Sequence, residues 1–170
     1  PTAEYEAGEA SYTLTVSAAE ILVKNGSYVI AVLEGGVYYA VSSDANGDRR
    51  AYVELSDYSG EESYVSHNST IVWTITNVVG GITINTGDQY WGTKKNGTTL
   101  VTSNNAAAIA VSRSENAYHL SGYCGTDGIR YVSKNGTYGF GFYAESSKAD
   151  IYLIPATFVA LPDLAAPVAT

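Results

Sequence analysis

Trp91 stands in a short polar stretch, Asp88-Gln89-Tyr90-Trp91-Gly92-Thr93-Lys94-Lys95-Asn96. An exposed indole is a platform for the apolar face of a sugar ring, and a carboxylate and amides beside it can hydrogen-bond ring hydroxyls. Trp91, Asp88, Gln89 and Asn96 are therefore the expected ligand-binding set. The expectation depends on strand phase. If Tyr90 faces inward, its neighbour Trp91 must face solvent. The competing assignment packs Trp91 under the Asn68 loop or against a neighbouring domain.

Other residues with chemical potential carry weaker patterns. Asp44-x-Asn46-x-Asp48 has the alternating oxygens of a calcium loop, but Arg49 and Leu55 occupy the positions where an EF-hand needs glycine and glutamate. An Asp/Asn-rich hairpin turn explains the same residues more simply. Cys124, the single cysteine, reads as a small, partly buried hydrophobe, because no activating base is assured by the spacing to His119. His67 and His119 are the only histidines, too few for a histidine-rich metal site. Nucleophile-elbow, zinc-protease and phosphate-loop motifs are absent, and no cofactor fingerprint is present. The expectation is a non-catalytic chain without a cofactor. A glycosidase pair among the 17 acidic residues is left open, since sequence does not give carboxylate separations.

Composition narrows the class further. The 170 residues carry a net charge of -8, which repels nucleic acid and anionic membranes. No apolar run approaches the ~20 residues of a membrane helix. Fifteen tyrosines, 17 glycines and only 15% charged residues favour strands joined by tight turns. The chain opens at Pro1 with no methionine and ends in an Ala/Pro-rich stretch, which predicts a piece of a larger or processed protein. The expected organisation is an N-terminal tail over 1–10, a domain over 11–156 and an extended linker over 157–170.

The elements that must position these residues follow a repeat. Tyr39, Tyr90 and Tyr131 each sit on a strand that runs into an Asn-Gly pair, at Asn46-Gly47, Asn96-Gly97 and Asn135-Gly136. The tyrosines are 51 and 41 residues apart, and a polar loop from Asp57 to Ser69 accounts for the longer first interval. Strands are predicted at 11–16, 27–33, 37–42, 50–55, 71–75, 82–84, 89–93, 100–102, 108–111, 118–120, 129–132, 139–143 and 151–154. A capping box at Ser17-Ala18-Ala19-Glu20 predicts one helical turn. Ile71, Trp73 and Ile75 alternate inward, so Trp73 is expected in the core. Asn25, Asn68, Asn96 and Asn135 head glycosylation-type sequons but read as turn residues. Three units of four short strands predict an all-β protein, a β-trefoil, with a β-sandwich as the alternative. In this scheme the repeated tyrosines point into the barrel.

The succession Tyr12-Thr13-Leu14-Thr15-Val16, Gly26-Ser27-Tyr28-Val29-Ile30, Trp73-Thr74-Ile75, Tyr131-Val132-Ser133-Lys134-Asn135 and Ile151-Tyr152-Leu153 resembles the trefoil-like modules of secreted Bacteroidetes proteins. The resemblance spans about Tyr12 to Ile154. It implies a β-trefoil appended to a larger secreted or cell-surface bacterial protein, in a family whose function is mostly unassigned. Members often carry Arg-Phe-Arg before the last strand; here the stretch is Gly139-Phe140-Gly141-Phe142-Tyr143, so a role tied to those arginines does not transfer. The combined expectation is a non-catalytic extracellular module that binds carbohydrate or another surface ligand. The alternative is a structural spacer or protein-interaction domain beside flanking domains.

Overall fold

The structure, a computed structural model, describes residues 21–162. The strand expected at 11–16, the turn at 17–20, the tail over 1–10 and the last part of the expected linker lie outside the described residues. Thirteen strands follow in order: β1 (Gly26–Glu34), β2 (Val37–Asn46), β3 (Arg49–Leu55), β4 (Tyr64–Ser66), β5 (Trp73–Val78), β6 (Gly81–Thr86), β7 (Gln89–Lys94), β8 (Gly97–Val101), β9 (Ala110–Ser114), β10 (Ala117–Tyr123), β11 (Ile129–Asn135), β12 (Gly139–Tyr143) and β13 (Tyr152–Phe158). The expected all-β class holds. β4 lies inside the stretch expected as a loop, and β13 runs two residues past 156.

The hydrogen-bonded order is β8-β7-β6-β5-β1-β2-β3-β12-β11-β10-β9, with β13 pairing both β1 and β4. Only β4 and β13 pair in parallel among the named strands. Two isolated antiparallel bridges, Ile82 with Ile109 and Tyr118 with Ile151, link segments far apart in that order. The Ile82 and Ile109 amides each donate to the other's carbonyl, at 2.9 and 2.8 Å.

β1 is buried on both faces, because Val29 to Val32 are all inaccessible. Ile30 and Val32 join the main core with Val41, Trp73, Ile75, Ile84, Trp91, Leu120, Val132, Phe140 and Phe142. Val29 and Ala31 face a second core with Ala40, Leu55, Ile71, Ile154 and Ala156. The polar segment between β3 and β5 therefore covers the outer side of β1, β2 and β13. Its anchor is Ile71, in a 3₁₀ turn capped by Asn68, whose Oδ1 accepts from the Thr70 amide at 2.9 Å. Truncating Ile71 to alanine would cost ~3 kcal/mol, since a buried aliphatic leaves a cavity.

Three hairpin regions meet backbone to backbone. The Thr98 amide donates to Asp48 carbonyl at 2.9 Å, and the Asn96 amide donates to Phe142 carbonyl at 2.8 Å. Glycine is required at two of these meetings. A Cβ on Gly97 would strike the Asp48 carbonyl oxygen, and one on Gly139 would strike that of Arg50.

Candidate functional site

The structure inverts the expected strand phase at the second and third copies, where Trp91 and Val132 join the main core; at the first, Tyr39 packs against the main core and Ala40 belongs to the second. Tyr39, Tyr90 and Tyr131 are half-buried, while their successors Ala40, Trp91 and Val132 are buried. Trp91 is 1% exposed and stacks edge-on against Trp73 at 5.5 Å and Phe142 at 6.3 Å. It is core packing, so the exposed indole platform expected from the sequence does not exist. The physical reason is the tyrosine hydroxyl, which keeps one end of the ring at water and leaves the inward position to the wholly buried neighbour. Trp73 is buried as expected, and its Nε1 donates to Val41 carbonyl at 3.0 Å.

The other three expected ligands are exposed but scattered. Asp88 lies in the turn before β7 and Gln89 begins it, while Asn96 follows its far end, roughly 20 Å along an extended strand. Asn96 Oδ1 is taken by Arg130 Nη1 at 3.1 Å. Gln89 borders a shallow polar depression with Asp44, Asp48, Arg50 and Thr98. Asp48, on its border, pairs with Lys94 at 3.0 Å, and Asn46 Nδ2 donates to the Thr137 and Tyr138 carbonyls. The calcium-like spacing is thus spent on a hairpin and its neighbours. No cluster of three His, Cys, Asp or Glu suited to a metal occurs among the described residues.

Residues that sequence reasoning left aside form a better site. A groove of about 480 Å³ is bordered by Tyr38 of β2, Tyr58, Glu61 and Glu62 of the β3–β4 segment, Asn116 and Tyr118 beside and on β10, and Tyr152 of β13. Tyr38 is its hub: its ring meets Tyr58 at 4.9 Å and 78°, and Tyr152 at 5.4 Å and 87°. Tyr58 in turn meets Tyr64 at 5.8 Å. Two of the phenols are tethered. Tyr58 Oη donates to Glu61 carbonyl at 2.6 Å, and Tyr64 Oη donates to Asp57 Oδ1 at 2.9 Å.

The surroundings favour the neutral form of Tyr58, Tyr64 and Tyr152 and the ionised form of Glu61. Burial, then the neighbouring Tyr38 and the Glu61 charge, pushes the Tyr58 phenol up. Burial leads for Tyr152 as well, followed by Tyr38, Asp150 and Glu115. Tyr64 is pushed up to about 12 by burial and its bond to Asp57. Glu61 is held below the ordinary carboxylate range by the Ser59 amide, which its Oε2 accepts at 2.9 Å, with further help from its own amide and the Ser59 hydroxyl. The groove therefore offers aromatic faces beside the Glu61 carboxylate, whose ionised form these hydrogen bonds favour.

Two other candidates do not assemble. Burial pushes the Cys124 thiol up, the opposite of what a nucleophile needs. His119 Nε2 and Ser114 Oγ both bond Asp150 Oδ1, at 3.0 and 2.7 Å, so the histidine is set on the carboxylate and not on the serine.

The groove had one signal in the sequence: Tyr58 and Tyr64 lie within the segment that makes the first repeat longer than the others. Comparison with known proteins finds no matching family model, no matching curated protein and no matching solved structure.

Proposed function

We propose that this chain is a β-trefoil module, non-catalytic and extracellular, that binds carbohydrate in the tyrosine groove between β2, β13 and the β3–β4 segment. The trefoil reading is supported by a circuit of pairings. It runs β1 to β5, β5 to β6, across the Ile82–Ile109 bridge to β9 and β10, across the Tyr118–Ile151 bridge to β13, and back to β1. The hairpins β2–β3, β7–β8 and β11–β12 then close one end as three equivalents. β4 is the extra strand, carried by the insertion. Slow exchange of both the Ile82 and Ile109 amides is expected if the circuit is closed; fast exchange at both refutes it.

The observation that carries the binding reading is the groove itself. Tyrosine rings supply apolar faces for sugar C–H groups, and Glu61, Glu62 and Asn116 supply acceptors and donors for hydroxyls. Its position on the one segment that breaks the repeat fits a specialised surface. The resemblance to modules of secreted Bacteroidetes proteins is consistent with attachment to a larger cell-surface protein. Affinity electrophoresis over immobilised polysaccharides, backed by a glycan array, tests the reading. Retention that Tyr58→Ala abolishes is the expected result, and no retention of the wild type on any glycan removes it.

A second reading, a spacer or protein-interaction domain, draws on one observation. Ile21, Val78 and Val79 are 66%, 39% and 99% exposed beside an apolar depression at the start of β6. Lost association with flanking domains in Val79→Ser would favour it.

A further inference from the structure

The chain contains a tyrosine pair whose occupant is visible. Tyr39 and Tyr52 meet edge-on at 5.7 Å and 87°. Lys134 Nζ lies 4.7 Å from the first ring centroid and 4.4 Å from the second. Glu34 Oε1 completes the seat at 3.1 Å. An ammonium between two ring faces and a carboxylate gains from the ring quadrupoles and from the charge together.

The groove repeats these components around Tyr38, one residue earlier on the same strand. Tyr38 and Tyr152 meet at 5.4 Å and 87°, nearly the same geometry, and Glu61 and Glu62 line the same groove. The difference is the missing cation. All nine Lys and Arg of the sequence lie within residues 24–148, and their ring contacts fall on Tyr39, Tyr52, Tyr118, Tyr131, Tyr138 and Tyr143. None falls on Tyr38, Tyr58 or Tyr152. Arg113 reaches Tyr118 at the groove's edge, 5.8 Å from the ring. Glu62 has no ion pair among the described residues, and Glu61 is bonded only within its own turn.

We propose that the groove selects a cationic saccharide, an amino sugar whose ammonium is not acylated, seating that ammonium against Tyr38 and Tyr152 beside Glu62. The proposal rests on the carbohydrate reading for the sugar and on the filled Lys134 seat for the charge. A neutral sugar would use the ring faces alone. An acylated amino sugar would lose the charge and leave the carboxylates unanswered.

Calorimetric titration of the full chain with three probes separates these parts: a deacetylated glucosamine oligosaccharide, its N-acetylated counterpart and tetramethylammonium chloride. The deacetylated sugar is expected to bind at least tenfold tighter than the acetylated one. Its affinity should fall severalfold in the exposed-site variant Glu62→Gln and on raising salt. Tyr152→Leu should abolish binding and Tyr152→Phe should restore it, because the ring and not the hydroxyl faces the cation. Equal affinity for both sugars overturns the charge selection while leaving the carbohydrate reading intact. Binding of tetramethylammonium without either sugar upholds the cation seat and removes the sugar. Binding of none of the three overturns both.

Discussion

Tyr38 and Tyr39 are neighbours on β2, yet they serve opposite faces of the sheet. Tyr39 packs toward the main core side and holds Lys134 with Tyr52. Tyr38 packs on the second core and shares its ring edges with Tyr58 and Tyr152, with no protein cation above it. One pair is closed by the chain itself, while the other is flanked by Tyr58, from a segment that the other two units lack. The contrast teaches that aromatic pairs here are seats as much as fillers. What distinguishes a structural seat from a binding one is whether the chain supplies the charge.

The largest effect should come from breaking the open side. Tyr38→Ala removes a half-buried ring and two edge contacts, so denaturant unfolding should show a loss of ~3 kcal/mol together with loss of binding. Emptying the closed side sharpens the contrast. Lys134→Ala should cost about 2 kcal/mol, given two ring contacts and a carboxylate partner. Millimolar propylammonium should then raise the variant's Tm and leave the wild type unchanged; no rescue would mean the pair is not a cation seat. The core gives a smaller, third contrast. Trp73→Phe loses the bond to Val41 and should cost ~1 kcal/mol more than Trp91→Phe. Trp91 Nε1 is buried without a partner, so deleting that donor removes an existing penalty.

The smallest effect is a pH slope on the open side. Tyr64 keeps its proton to about 12 in the folded chain, against an ordinary value of 10. Its contribution is complete below pH 10 and is lost as pH rises through the folded value, because the unfolded phenol ionises first. Urea unfolding at about pH 9 and about pH 11 should show this slope in the wild type and a shallower one in Tyr64→Phe.

The strands were legible because turns and alternation are local. The strand expected over Gly139–Tyr143 has those bounds, and Trp73 and Ile75 share the main core as their alternation requires, whereas Ile71 sits in the preceding 3₁₀ turn and packs in the second core. Alternation gives two faces but does not say which is inside. Tyrosine as the inward mark of the repeat fits Tyr39, which packs against the main core, but fails at the other two copies, where Trp91 and Val132 take the inward place. That inversion moved Trp91 from the surface to the core. The groove was illegible for a different reason. Tyr38, Tyr58 and Tyr152 are brought together by the β1–β13 pairing and by Ile71 anchoring the insertion, and neither long-range pairing is written in any local window.

The meeting of the three hairpins has a consequence for molecules at high concentration. Its bonds join amides and carbonyls, and its closest approaches are at Gly97 and Gly139, where no side chain intervenes. Such a joint cannot tell a chain's own hairpin from that of a neighbouring copy. Fidelity must come from the connectors, whose tight turns forbid a hairpin from reaching outward. Lengthening one of those turns would leave the joint's chemistry untouched and hand the choice of partner to concentration alone, the condition under which chains exchange parts.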